Sequence, residues 1–136
     1  MRGDENNPED WFQLAKRDLE TAELLAAHDK VDAAAAPAQQ AAEKLLKGKL
    51  VSLGITPPRW HNLLELRRLL PVELQSASFT EEIAELLSEE YLASRYPGTH
   101  WDPPPSEEEI KLAIHATRKL AQKLVPEYFL GDNAQD

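Results

Sequence analysis

The sequence predicts an all-α fold, an antiparallel up-and-down bundle of four main helices plus one short helix. Three observations predict it. Alanine, leucine, glutamate and lysine dominate the 136 residues. Apolar residues recur at three- and four-residue spacing, the period of an amphipathic helix, and strand-like alternation is nearly absent. Proline and glycine fall mainly between the periodic stretches, where they punctuate them.

The first helix is expected from Pro8 to about His28. Asn7 is a suitable N-cap, proline suits the first helical position, and Glu9 and Asp10 favour the positive end of the helix dipole. Trp11, Leu14, Ala15, Ala22 and Leu25 share a face, with Asp18 at its centre. A buried carboxylate there needs a partner; otherwise the stripe is frayed and Asp18 reaches water.

The second helix, "DAAAAPAQQAAEKLLKGKLVSL", is expected from Asp32, its N-cap, to Leu53, with Gly54 as the stop. Pro37 inside it removes one hydrogen bond and predicts a kink or restart. The alanines suggest close approach of another helix. After the connection "GITPPRWHN" comes the short third helix, about His61 to Leu70, closed by Pro71. "SFTEE" offers a capping box from Ser78 to Glu81, or Thr80 as N-cap, for a fourth helix running to about Ser94. Pro97 and Gly98 break it, and "WDPPP" is an extended linker. "SEEEI" is a capping box opening the fifth helix, Ser106 to Leu124. The expected organisation is a flexible start over 1–7, one helical domain over 8–126, and a largely disordered tail over 127–136.

With no cysteine, disulfides and thiolate metal sites are excluded. The polar start "MRGDENNPED" has no apolar segment of a secretory leader, and no apolar run approaches membrane-spanning length. A cytoplasmic location and no membrane association are therefore expected. The net charge of −9 argues against broad, sequence-independent nucleic-acid binding. The charge is uneven: residues 43–68 hold six bases against two acids, whereas 69–109 hold ten acids and the single base Arg95.

Lys44 and Lys47, about one turn apart, are candidates for a nucleotide phosphate, against the plainer reading of a solvated face. His61 opens the third helix beside Arg59 and Trp60, where it suits either a phosphate contact or a cap. No glycine-rich phosphate loop and no metal-binding histidine pattern is present, so no cofactor or metal is expected.

The stretches "WFQLAKRDLETAELL", "AAAAPAQQAAEKLLKGKLVSLG", "HNLLELRRLL" and "YLASRYP" occur in this order. Together they resemble the HEPN family, the nucleotide-binding domain of higher eukaryotes and prokaryotes, over roughly residues 9–125. "AQQAAEKLLKGKL" is the most specific part and "SRYP" the second; Pro37 departs from the usual pattern. The resemblance implies an antiparallel bundle that often forms a homodimer and engages nucleotide or RNA. It also implies, as in a toxin–antitoxin pair, a small nucleotidyltransferase partner. Nuclease members carry an arginine followed after a short spacer by a histidine; here Tyr96, Pro97, Gly98 and Thr99 separate Arg95 from His100.

That pair suits metal-independent ribonuclease chemistry. The unperturbed pKa of a histidine is close to working pH, which suits His100 as a proton shuttle, and the planar fork of Arg95 can grip a phosphate. The spacing alone is weakly specific, and His100 lies past a Pro-Gly break. Three roles stay open for Arg95: catalysis with His100, ligand contact without catalysis, or a structural pair with Asp18 or the acids of the fourth helix.

Overall fold

The computed structural model describes residues 4–59, 62–88 and 105–129. The chain is an all-α bundle, with no strand among these residues. Its helices are α1 (Pro8–Ala27), α2 (Val31–Ser52), α3 (Leu63–Leu69), α4 (Glu81–Leu86) and α5 (Glu107–Leu124), with a 3₁₀ turn at Val72–Leu74 between α3 and α4.

Capping chemistry sets most of the boundaries. The Asn7 side chain accepts from Glu9 N–H, Asn62 from Glu65 N–H, Thr80 from Ile83 N–H, and Ser106 from Glu109 N–H. Each satisfies an amide that has no partner inside its own helix. At Ser106 the capping box is complete, because the Glu109 carboxylate also accepts from Ser106 N–H at 2.9 Å.

Both ends of the α1–α2 hairpin close as Schellman motifs. After α2, Gly54 takes φ +77°, its N–H donates to Val51 O at 3.0 Å, and Ile55 N–H donates to Leu50 O at 2.9 Å. After α1, Asp29 takes the same left-handed conformation at φ 61°, and its N–H donates to Ala26 O at 3.3 Å. Lys30 N–H then reaches Leu25 O at 2.8 Å. This tight exit makes Lys30 the N-cap residue of α2, not Asp32, which falls in the first turn.

The α1–α2 pair forms the largest helix contact. Ala34, Ala35, Ala38, Ala41 and Ala42 are fully buried, as the alanine run implied. Pro37 does not restart α2, which is one helix from Val31 to Ser52. The tightest approach is at Gly48, where a side-chain carbon would stand 2.7 Å from both Trp11 Cβ and Phe12 Cε1. Gly48 therefore meets the start of α1 while Lys44 meets Asp18 further along it, so the two helices run antiparallel. Phe12 packs on Tyr128, with ring centroids 5.9 Å apart, and Glu23 pairs with Arg118. Hence α5 also runs antiparallel to α1.

Three sequence expectations change. The buried face of α1 is Phe12, Ala15, Leu19 and Ala22, rotated from the expected stripe; Leu14 is 37% exposed and Asp18 lies at the edge. Phe12 lies against Gly48 of α2 and against Tyr128, and these contacts fix the rotation. The third helix begins at Leu63, because the Asn62 cap stops it short of His61. The fourth closes at Leu86, earlier than Ser94: Leu87 leaves the helical basin (ψ 14°) and Ser88 N–H bonds Glu85 O, one residue tighter than α-helical. The rest of that expected stretch, from 89, lies outside the described residues. Val125 and Phe129 are buried, and Tyr128 packs against the core.

Candidate functional site

The seam between α1 and α2 gathers three of the sequence-derived site residues. Lys44, from the middle of α2, donates to the Asp18 carboxylate on α1 in a close ion pair. Both side chains are about three-quarters covered, at 22% and 24% exposure. The neighbouring turn holds Lys47, whose ammonium donates to Glu43 Oε2 at 2.6 Å and lies 5.6 Å from the centre of the Trp11 ring. Gln39, itself buried, donates to the other oxygen, Glu43 Oε1, at 3.4 Å.

Spacing explains the assembly. Gln39, Glu43 and Lys47 follow one another at four-residue intervals and so stand on one face of α2. Trp11 reaches that face because Gly48, one residue on, lets α1 come close. The result is a lattice in which each lysine already faces a carboxylate. A phosphate arriving here must displace Asp18 or Glu43. Lys44 and Lys47 therefore have the geometry of a helix–helix fastening, and Asp18 is fastened by Lys44. Arg95, His100 and His61 lie outside the described residues.

Beside Trp11 is a shallow depression lined by Asp4, Glu5, Asp10, Trp11 and Leu14. The Trp11 indole N–H donates to Glu5 O at 2.9 Å. Three carboxylates give this depression the wrong sign for a phosphate.

Three arginines hold the scaffold in ways the sequence did not disclose. Arg67, only 13% exposed, donates from Nε to Phe79 O at 2.8 Å, from Nη1 to Gln75 Oε1 at 3.2 Å, and from Nη2 to Ser76 O at 3.4 Å. It ties the α3–α4 connection to α3. Its neighbour Arg68 grips Glu81 with two hydrogen bonds, of 3.1 and 3.0 Å, and this holds the Glu81 carboxyl below its usual range. Arg118 on α5 makes a two-bond grip on Glu23, with Nε to Oε2 at 2.8 Å, and lies over the Phe129 ring. The hydrogen bond to Glu23 raises the Arg118 pKa further, against the opposing effect of burial. Only the folded chain brings these partners together; Glu23 and Arg118 stand 95 residues apart.

Among the described residues, no group of three or more His, Cys, Asp or Glu side chains is arranged to hold a metal ion. No described helix is long and apolar enough to cross a membrane.

A family model described as the HEPN domain matches residues 8–128, from the first residue of α1 to the aromatic pair behind α5. The chain belongs to the HEPN family. Its solved structural relatives include an archaeal HEPN homologue, 27% identical, with a TM-score of 0.65. That match covers 90% of this chain and 98% of the archaeal one. No curated protein matches it.

Proposed function

We propose that this HEPN domain acts as a small homodimeric module that binds nucleotide or RNA and works with a small nucleotidyltransferase partner, in the manner of a toxin–antitoxin pair. The observation carrying this reading is the HEPN match over 8–128, which includes Arg95. Physical chemistry narrows the mode of binding. A net charge of −9 disfavours a broad grip on nucleic acid, so contact must be local. With Lys44 and Lys47 facing Asp18 and Glu43, Arg95 is the first candidate for the phosphate contact, its guanidinium suited to a two-pronged grip. Lys44, Lys47 and His61 rank behind it.

A second reading rests on the spacing of Arg95 and His100. In a metal-independent endoribonuclease, His100 takes the 2′-hydroxyl proton and Arg95 stabilises the charge on the phosphorane. A dimer supplies two histidines, one for each proton transfer.

One experiment separates these readings. RNA cleavage in EDTA and RNA or nucleotide binding are measured for wild type, Arg95→Ala and His100→Ala. Binding without cleavage, weakened by Arg95→Ala, supports the module. Cleavage abolished by both substitutions supports the nuclease. If wild type neither binds nor cleaves, and Arg95→Ala only lowers the melting temperature, both readings fail and Arg95 is a packing residue.

A further inference from the structure

From Ile110 to Pro126 the chain has no aspartate or glutamate, although the whole sequence holds 24 acids. The same segment carries Lys111, His115, Arg118, Lys119 and Lys123. Four of these, Lys111, His115, Lys119 and Lys123, follow one another at four-residue steps along α5. A four-residue step advances roughly 6 Å along a helix, so the row spans about 18 Å. Its step is comparable with the separation of neighbouring phosphates on a nucleic-acid strand.

The row lies away from the main buried side of the helix, centred on Ile110, Ala113, Thr117 and Leu120, and is flanked by the buried Ala116 and Gln122. Lys111 and His115 are exposed, and Lys119 and Lys123 are half-buried. This surface differs from the α1–α2 seam in one decisive respect. At the seam each lysine is matched by a partly covered carboxylate. On α5 the ion pairs among described residues are Arg118 with Glu23, outside the row, and Lys111 with Glu108. The latter is a 4.0 Å contact between exposed side chains, too loose and too wet to hold the ammonium against a phosphate.

We infer that the Lys111–His115–Lys119–Lys123 row is an RNA-tracking surface, an electrostatic rail that takes the phosphate backbone of a single strand. This rests on the RNA-binding reading above and places part of the contact on α5. An acidic protein would satisfy the same charges, but lysines placed at multiples of one four-residue step along a single helix favour a polyanion of regular repeat. The rail carries no sequence preference, because it meets phosphates and not base edges. The chain's overall negative charge confines the strand to this row.

The test is fluorescence anisotropy of a labelled single-stranded RNA of mixed sequence, titrated with the full chain over a series of salt concentrations. The variants are wild type, the triple substitution Lys111→Ala, Lys119→Ala, Lys123→Ala, the matching triple lysine-to-arginine variant, and Arg95→Ala. Each lost phosphate contact on a single strand lowers the slope of log K against log salt by about 0.7, so the triple alanine variant should lose about 2 in slope and roughly tenfold or more in low-salt affinity. The arginine variant keeps the charges and should keep both. If the triple alanine variant, folded by circular dichroism, binds RNA with unchanged affinity and slope, the rail is wrong and the RNA reading stands without it; the row then serves an acidic protein surface. If wild type binds no RNA at all, the underlying reading fails and takes the rail with it.

Discussion

Gly48 sets how closely α1 and α2 approach, and a substitution there measures the constraint. A Cβ at this position would meet Trp11 Cβ and Phe12 Cε1 at 2.7 Å and Phe12 Cδ1 at 3.0 Å. Carbon pairs prefer about 3.5–4.0 Å, so close to an ångström of relief is needed. Little is available: Trp11 Cβ is fixed to the α1 backbone, and the buried Phe12 ring is backed by Tyr128. Overpacking of this kind costs about 1–3 kcal/mol. Alanine recovers about 1 kcal/mol of helix propensity over glycine, leaving Gly48→Ala destabilised by about 1 kcal/mol. Valine adds two methyl groups to the same contact and recovers less propensity, so Gly48→Val should lose about 3 kcal/mol. For a chain of this length 1 kcal/mol corresponds to about 3–5 °C, which predicts melting roughly 4 °C lower for alanine and 10 °C or more for valine. Thermal unfolding followed by circular dichroism, with urea midpoints as a second measure, gives both numbers. A valine variant melting within about 2 °C of wild type would refute the reasoning, because the helices would then separate at little cost.

Two further perturbations test the polar fastenings. Arg67→Ala removes three hydrogen bonds and strands the Phe79 and Ser76 carbonyls; about 2–3 kcal/mol should be lost in urea unfolding, and Arg67→Lys should not restore it because an ammonium lacks the planar fork. The Glu81 carboxyl is held low by Arg68, so the pair's stabilisation is complete above the ordinary carboxylate range and disappears as pH falls through the lowered value. Wild type should therefore exceed Glu81→Gln in melting temperature at neutral pH, and the two should converge in acid. Divergence as the pH falls would overturn that assignment.

The helices were legible in the sequence wherever a short-range rule decides them. Asn7 with Pro8, Thr80, and Ser106 with Glu109 are caps written within a few residues, and Gly54 marks the left-handed exit of α2. The exit of α1 uses the same motif without a glycine. Asp29 carries it, and without a glycine to mark the exit the N-cap of α2 falls at Lys30, two residues before the expected Asp32. The rotation of α1 escaped for a related reason. Trp11, Leu14 and Leu25 are as apolar as Phe12 and Leu19, and only the packing of α2 and α5 decides which set is buried. At the candidate site the residue types were readable but their partners were not. Asp18 lacked a partner in its own helix; Lys44, 26 residues away, supplies it. The roles of Arg67 and Arg118 are not legible in the sequence because their acceptors, a loop carbonyl and Glu23, are set by the tertiary fold.

The helix pairs also differ in how far along the chain their partners lie, and this orders the assembly of the domain. The α1–α2 contacts are joined through the three residues 28–30, so the chain sacrifices little freedom to bring them together. The Glu23–Arg118 grip and the Phe12–Tyr128 stack need nearly the whole chain to close. The hairpin is therefore the natural nucleus, and the docking of α5 is a late event. Weakening Gly48 should mainly slow folding, whereas weakening Arg118 should mainly hasten unfolding. Phe129, which is buried under Arg118, belongs to that late step. Spontaneous opening of the native domain should thus begin at its C-terminal helix, the one that bears the Lys111–Lys123 row.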